Sequence, residues 1–368
     1  MSRLDELVKT INREWKEDIA ARGIHRIQTN KIPFSSPRLN YMLYGGLPRG
    51  RIIEFCGQEN GGKTTSALDV CKHAQILFGE EYDEEMSNEN TDAKRQSYLA
   101  ERGPKKVVYA DCENTLDEDW ATKIGVDVDN MYIIKPQTQA AEDIFQIILD
   151  MIETDEVGLV IIDSLGVMLS KQAYDKDMTE KTYGGIAMAL TLFSKKAELL
   201  CHKYDCTIIG INQMRDDMNS PYGGETTPGG KAWRHNCSVR LKFQKGDYLD
   251  ANGNSLNRSC ESPAGNKVMV SILKTKVDKP DRKTGFYTLM YDYGVDEISD
   301  LIEVAIKYGI INKAGAWFTF VDIETGEIVC DEEGKDIKVQ GQANVAKLLR
   351  ENDVLLEELK EQVKGVMG

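Results

Sequence analysis

A chain of 368 residues with 41% hydrophobic and 29% charged residues can bury one large core and carry small appendages. No apolar run approaches bilayer-spanning length and Met1-Ser2-Arg3-Leu4-Asp5-Glu6 does not read as a signal peptide, so membrane insertion and export are not expected. A formal net charge of −14 excludes a uniformly basic surface but not a local basic channel, because nucleic-acid binding depends on where lysines and arginines sit. Eight cysteines without a C-x-x-C pair point to reduced thiols in a cytoplasmic setting. Cys201, His202, Cys206, His235 and Cys237 match no zinc spacing, and the cysteines among them read as buried thiols.

In chain order, Leu4, Leu7, Val8, Ile11, Trp15 and Ile19 recur at helical spacing and predict an amphipathic helix over 2–22, ended by Gly23. Lying ahead of the core, it packs on its own domain or docks on a neighbour. A turn and short helix over 32–43 follow, and then Arg51–Phe55 reads as a strand. The next residues, Gly57-Gln58-Glu59-Asn60-Gly61-Gly62-Lys63-Thr64, fit the phosphate-loop pattern G-x-x-x-x-G-K-[ST], with a helical stretch from Thr65 to Lys72 after them. Strand, glycine loop and helix are the setting this motif needs. Its glycines let backbone N–H groups turn toward phosphates, and the helix N-terminus adds positive potential. Lys63 is expected to reach the β- and γ-phosphates and the Thr64 hydroxyl to hold Mg²⁺. The expected ligand is a nucleoside triphosphate.

Residues 79–104 carry Glu80, Glu81, Asp83, Glu84, Glu85 and Glu89 before any basic residue, and read as a solvated, partly mobile insertion. Strands are predicted at 106–111, 131–134, 159–164 and 207–213, with a helix over 141–153. The 106–111 strand ends on carboxylates: Asp111, Glu113 and Asp117. The apolar run Leu159–Ile162 ends on Asp163, placed to orient Mg²⁺ through water. Strands alternating with helices imply a mostly parallel α/β sheet. Two loops, 176–185 and 214–231, leave the same edge, and the second combines Arg215, Tyr222, Gly229, Gly230 and Lys231. Cations, an aromatic and glycines suit a sugar–phosphate backbone gripped without reading its sequence.

These stretches together resemble the bacterial RecA-type homologous recombinases. The resemblance runs from about residue 30 to about 360. It rests on Leu47–Glu54, the phosphate loop with Glu59, Asp111–Asp117, Lys123–Asp127, Asp163-Ser164, Ile211–Arg215, Glu225–Gly230 and Lys313–Phe318. It implies a RecA-like P-loop ATPase core over 31–295, an N-terminal polymerisation helix over 1–30 and a small C-terminal α/β domain over 296–368. It further implies Glu113 as general base, Gln213 as γ-phosphate sensor, and Asp117 and Trp120 at the adenine beside Thr65. Lys274 and Lys276 would act across a filament interface, and Lys195, Arg215, Tyr222, Gly229, Gly230, Arg234 and Lys245 would meet DNA.

The implied function is ATP- and Mg²⁺-dependent assembly on single-stranded DNA, followed by pairing and strand exchange with homologous duplex. The protein itself is one partner, as a filament, and a single-strand-binding protein and loading factors are further expected partners. A mediator that loads another recombinase, or a ring helicase, is the alternative on the same core. Departures mark a divergent member, with a phage origin as one reading. Met188 stands for an arginine, His235 for a phenylalanine and Gln342 for a lysine. The insertion at 79–104 and the long hairpin over 246–266 lack counterparts, and the chain ends without a long acidic tail.

Overall fold

The computed structural model describes residues 3–15, 30–176, 185–216, 224–257, 259–323, 325–330 and 334–367. Met1–Asn30 and Lys31–Gly368 are separate compact units. In the first, α1 (Arg3–Trp15) carries Asp5 and Glu6 in its first turn and Arg13 in its last, charges that complement the helix dipole. The predicted continuation to residue 22, and Gly23, lie outside the described residues.

The second unit opens with α2 (Pro37–Met42), which has Pro37 at its first turn and the Ser36 hydroxyl accepting from Leu39 N. Next come β1 (Ile52–Gly57), α3 (Lys63–Ser87), α4 (Ala93–Arg102) and β2 (Lys106–Asp111). The acidic stretch 79–104 is therefore largely helical. Its Glu, Ala, Gln and Arg content favours helix, the Asp92 side chain caps α4, and the Arg95 guanidinium makes two bonds to the Glu85 carboxylate at 2.7 and 3.0 Å. Leu99 is buried on α4, which packs on α3. The run of charge expected to be solvated is largely exposed, most of it on the last turns of α3.

After these the chain forms α5 (Glu118–Ile124), β3 (Met131–Ile134), α6 (Ala141–Glu153), β4 (Val157–Asp163), α7 (Gly185–Tyr204), β5 (Thr207–Gln213) and α8 (Gly230–Asn236). Strands β6 (Val239–Leu249), β7 (Gly265–Thr275), β8 (Thr284–Met290) and β9 (Gly294–Val295) follow. The nine strands make one sheet in the order β9-β8-β7-β6-β1-β5-β4-β2-β3. From β6 to β3 every pairing is parallel, and from β6 to β9 it is antiparallel. Alternation divides the central strands between two cores. Ile53, Phe55, Leu159, Ile161, Ile209 and Ile211 face one, whereas Ile52, Val160, Ile162 and Ile208 face the other. Burial on both faces explains why these strands read as continuous apolar runs.

The C-terminal part has its own apolar cluster, built from α9 (Glu297–Lys307), a three-stranded sheet (Ile311–Ala314, Trp317–Phe320, Lys338–Gln340) and two helices, Gln342–Glu351 and Asp353–Met367. Asp300 of α9 ties it to α2. Its buried carboxylate accepts from the Ser36 hydroxyl, from Arg38 N at 3.3 Å and from Arg38 Nε at 3.1 Å. Burial nonetheless pushes this carboxyl up, to about 6.

A carboxyl raised in the folded state favours folding while protonated. That contribution is present below about pH 4 and is lost as pH rises through 6. Between pH 4 and pH 7 the stability of the parent, relative to Asp300→Asn, should therefore fall by up to roughly 3 kcal/mol. Urea midpoints of both proteins across that range measure the difference, and a constant gap would refute it.

Candidate functional site

The parallel pairing carries β1, β5, β4 and β2 to one sheet edge, with Gly57 level with Gln213 and Asp111 level with Asp163. Gly57 begins the phosphate loop under tight restraint, since a Cβ there would lie 2.2 Å from Phe243 O. Gly62 caps α3 in left-handed conformation (φ +89°), where a side chain would be strained and would also meet the Tyr287 hydroxyl. Glycine at 57 and 62 thus fixes the two ends of the loop in a shape a side chain there would not permit.

Lys63 is buried, and its ammonium donates to Gly57 O at 3.2 Å and Gln58 O at 2.7 Å. Burial lowers its pKa, opposed by Asp163 and Glu113 nearby. Asp163 Oδ2 accepts from the Thr64 hydroxyl and from the Tyr109 hydroxyl, each at 2.8 Å. Burial raises the Asp163 pKa, and those two bonds oppose it. Glu113 accepts from the Ser164 hydroxyl. Lys63, Thr64, Asp163 and Glu113 thus converge at the end of the loop. Hard oxygen donors beside a phosphate cradle are the donor set Mg²⁺ takes.

A pocket of about 460 Å³ opens beside them, lined by Asn60 to Thr65, Trp120, Lys245, Asn266, Leu289 and Tyr291. Trp120, expected at the adenine, lines this pocket. Asp117 caps α5 by accepting from Trp120 N at 2.9 Å. Lys245, expected with the DNA residues, lines this pocket, its ammonium 4.4 Å from the Tyr248 ring centroid and 3.2 Å from the Tyr248 hydroxyl.

On the other side of the loop, Gln58, Glu59, Gln213, Met214, Arg215 and Glu225 line a second hollow. Arg215 and Asp216 pair antiparallel with Thr226 and Glu225, so the long loop leaves the sheet on a short ribbon. Gly229 (φ +100°) starts α8, with Gly230 after it. The Arg234 guanidinium donates to Gly230 O at 3.3 Å and to the Thr226 hydroxyl at 3.2 Å. Lys195 is exposed on α7. Tyr222 and residues 177–184 of the first loop lie outside the described residues. The Lys274 ammonium donates to Arg234 O at 2.7 Å and His235 O at 2.6 Å, at the end of α8, and Lys276 is exposed. Asp278, a nearby acid able to tie these lysines down, is paired with Lys31 at 2.6 Å.

Tyr109, Ser164, Asn266, Leu289 and Tyr291 are site residues that sequence reasoning missed. For Tyr109 a signal exists: two residues before Asp111 on one strand, it shares that residue's face. Asn266, Leu289 and Tyr291 come from the distant antiparallel strands and carry no local mark.

Residues 80–296 match the RecA N-terminal domain and residues 299–368 the RecA C-terminal domain. Protein RecA of Thermus aquaticus is 30% identical over 364 residues, which cover 98% of this chain and 93% of that protein. The chain belongs to the RecA family. Protein RecA of Aquifex aeolicus is 29% identical over 94% of this chain and 87% of its own length. For that of Ruminococcus albus the figures are 29%, 91% and 72%. The phosphate loop lies just ahead of the matched N-terminal domain, within the reach of the full-length relatives. The chain is thus a RecA-type recombinase and a DNA-dependent, ATP-binding ATPase. Among the described residues no helix is long and apolar enough to cross a membrane.

The pocket geometry predicts that Trp120→Ala weakens binding of a fluorescent ATP analogue by about two- to tenfold, the loss of one stacked ring at roughly 0.5–1.5 kcal/mol. Equilibrium titration without DNA reads this directly. Unchanged affinity would remove Trp120 as the base platform.

Proposed function

We propose that the family's reaction runs in this chain as ATP-dependent filament assembly on single-stranded DNA, with exchange into homologous duplex. The observation that carries the reading is the single sheet edge. It holds the phosphate loop, Asp163, Glu113 and Gln213, and Gln213 leads straight into the loop bearing Arg215. The proposed roles follow the geometry. Lys63 exchanges its two loop carbonyls for phosphate oxygens. Thr64 and Asp163 hold Mg²⁺, which when bound screens the phosphate charge. Glu113, kept in place by Ser164, takes a proton from the attacking water. Gln213 relays occupancy into the loop after it.

Lys195, Arg215, Tyr222, Gly229, Gly230 and Arg234 are the proposed DNA contacts. The position of Lys245 favours the nucleotide instead. Lys274 and Lys276 are proposed to act on a neighbour's nucleotide. A cytoplasmic location, loading factors and a single-strand-binding protein belong to the same reading. Electron microscopy with single-stranded DNA and a slowly hydrolysed ATP analogue tests assembly: continuous helical filaments support it, whereas rings or isolated particles overturn it.

Lys63→Ala should abolish hydrolysis, and Glu113→Gln should keep ATP and DNA binding while slowing turnover by about 10²–10⁴-fold. Normal turnover by Glu113→Gln would end its assignment as base.

Neutralising Arg215 or Arg234 should weaken single-strand binding for all sequences alike and lower the salt slope by roughly 0.7 per lost phosphate contact. Neutralising Lys245 should leave that slope alone and weaken the nucleotide. The reverse result would return Lys245 to the DNA.

If Lys274 acts in trans, Lys274→Ala and Lys63→Ala should each be inactive. Mixed equally, they should regain activity at roughly one interface in four, by random assembly of the two kinds of neighbour. A mixture that co-assembles on DNA yet stays inactive would exclude the trans role.

A further inference from the structure

Glu54 is wholly buried in the middle of β1, three residues ahead of the phosphate loop, and takes no part in the chemistry described above. Its Oε1 accepts from Asn212 Nδ2 at 2.9 Å and from Trp233 Nε1 at 3.0 Å, and its Oε2 accepts from Arg240 Nε. Two of these partners reach on to the closing residues of the long loop. Asn212 Nδ2 also donates to Pro228 O at 3.0 Å, and Arg240 Nη2 donates to the Thr227 hydroxyl at 3.3 Å. One carboxylate therefore joins the phosphate-loop strand, the residue before Gln213, the helix after the loop and the loop's own base.

Such a node is costly to build. A buried carboxylate needs its charge partner and its donors together, and losing one leaves the others uncompensated. Asn212 adds a second feature, because its Oδ1 is buried without a hydrogen-bond partner among the described residues. An orphaned buried acceptor costs about 1–3 kcal/mol, which a donor arriving in another arrangement of the loop base would recover. A fully satisfied node would hold one arrangement. With Asn212 Oδ1 unpaired among the described residues, this node is not fully satisfied.

We propose that Glu54 is a positioning residue that couples nucleotide occupancy to the placement of Thr227 and Pro228, the residues that close the loop after Gln213. Displacement at the end of β1 or at Gln213 passes through Asn212 and Arg240 to Pro228 and Thr227, and the second arrangement satisfies Asn212 Oδ1. The proposal rests on the reading that this loop meets DNA.

The test measures single-stranded DNA affinity with a slowly hydrolysed ATP analogue and again with ADP, and takes the ratio as the coupling. In Glu54→Gln the ratio should fall by about tenfold, while affinity for a fluorescent ATP analogue without DNA changes by less than about threefold. Thr227→Val cuts the outer link with the carboxylate left in place, and should lower the ratio by about threefold. It keeps the test decisive should Glu54→Gln not fold. A purely structural role would lower the melting temperature and leave the ratio of the folded protein unchanged, and that result overturns the node. A parent whose DNA affinity ignores the nucleotide would instead remove the reading of the loop, and the proposal with it.

Discussion

The register between β1 and its two parallel neighbours is the constraint on which the site depends. It sets Gly57 level with Gln213 on one side and with Phe243 on the other. With both faces of the sheet buried, a one-residue slip of β1 would turn Ile53 and Phe55 out of their core and would also part the loop from Gln213. The apolar packing that fixes the fold thus fixes the catalytic spacing. The close approach of Gly57 to Phe243 O seals the arrangement, since any side chain at 57 would force the two strands apart.

The parts of this arrangement legible in the sequence are those encoded by local pattern. The glycine loop is one such part, as are the apolar runs ending in Asp111, Asp163 and Gln213, and the helix over 141–153 matches its predicted bounds. Residues 79–104 read as solvated, and Glu80, Asp83, Glu84 and Glu89 are exposed, but their helical form goes unread, since glutamate is also a good helix former and needed only a cap at Asp92 and a partner in Arg95. The far wall of the nucleotide pocket was hidden for another reason. Asn266, Leu289 and Tyr291 reach it through antiparallel pairing, a long-range relation that no short window contains. Lys245 stands on the same wall, on the strand that opens a long hairpin.

Charge explains how the site is held ready. Burial weakens the charged forms of both Lys63 and Asp163, and each is compensated by neighbours rather than by water. Lys63 leans on two loop carbonyls and Asp163 on two hydroxyls. A triphosphate with its cation offers each a stronger partner of opposite sign, so binding replaces weak compensation with strong. The cradle is then preorganised, and little of the binding energy is spent on arranging it.

The same reasoning bears on Lys274. Its ammonium already caps the C-terminal carbonyls of α8, where a cation is favoured by the helix dipole, and burial together with Lys276 makes its charge harder to keep. Reaching a neighbour's nucleotide means giving up both carbonyls. A lysine without those carbonyls would give up less, whereas Lys274 would make the proposed move only where the γ-phosphate charge outweighs the helix end. Because α8 begins at Gly229 and Gly230, the residues that close the long loop, the lysine's release and the loop's placement act on one short helix. A lysine held this way would respond to a neighbour's nucleotide through the element that closes the loop, so the proposed trans contact would depend on where that helix sits.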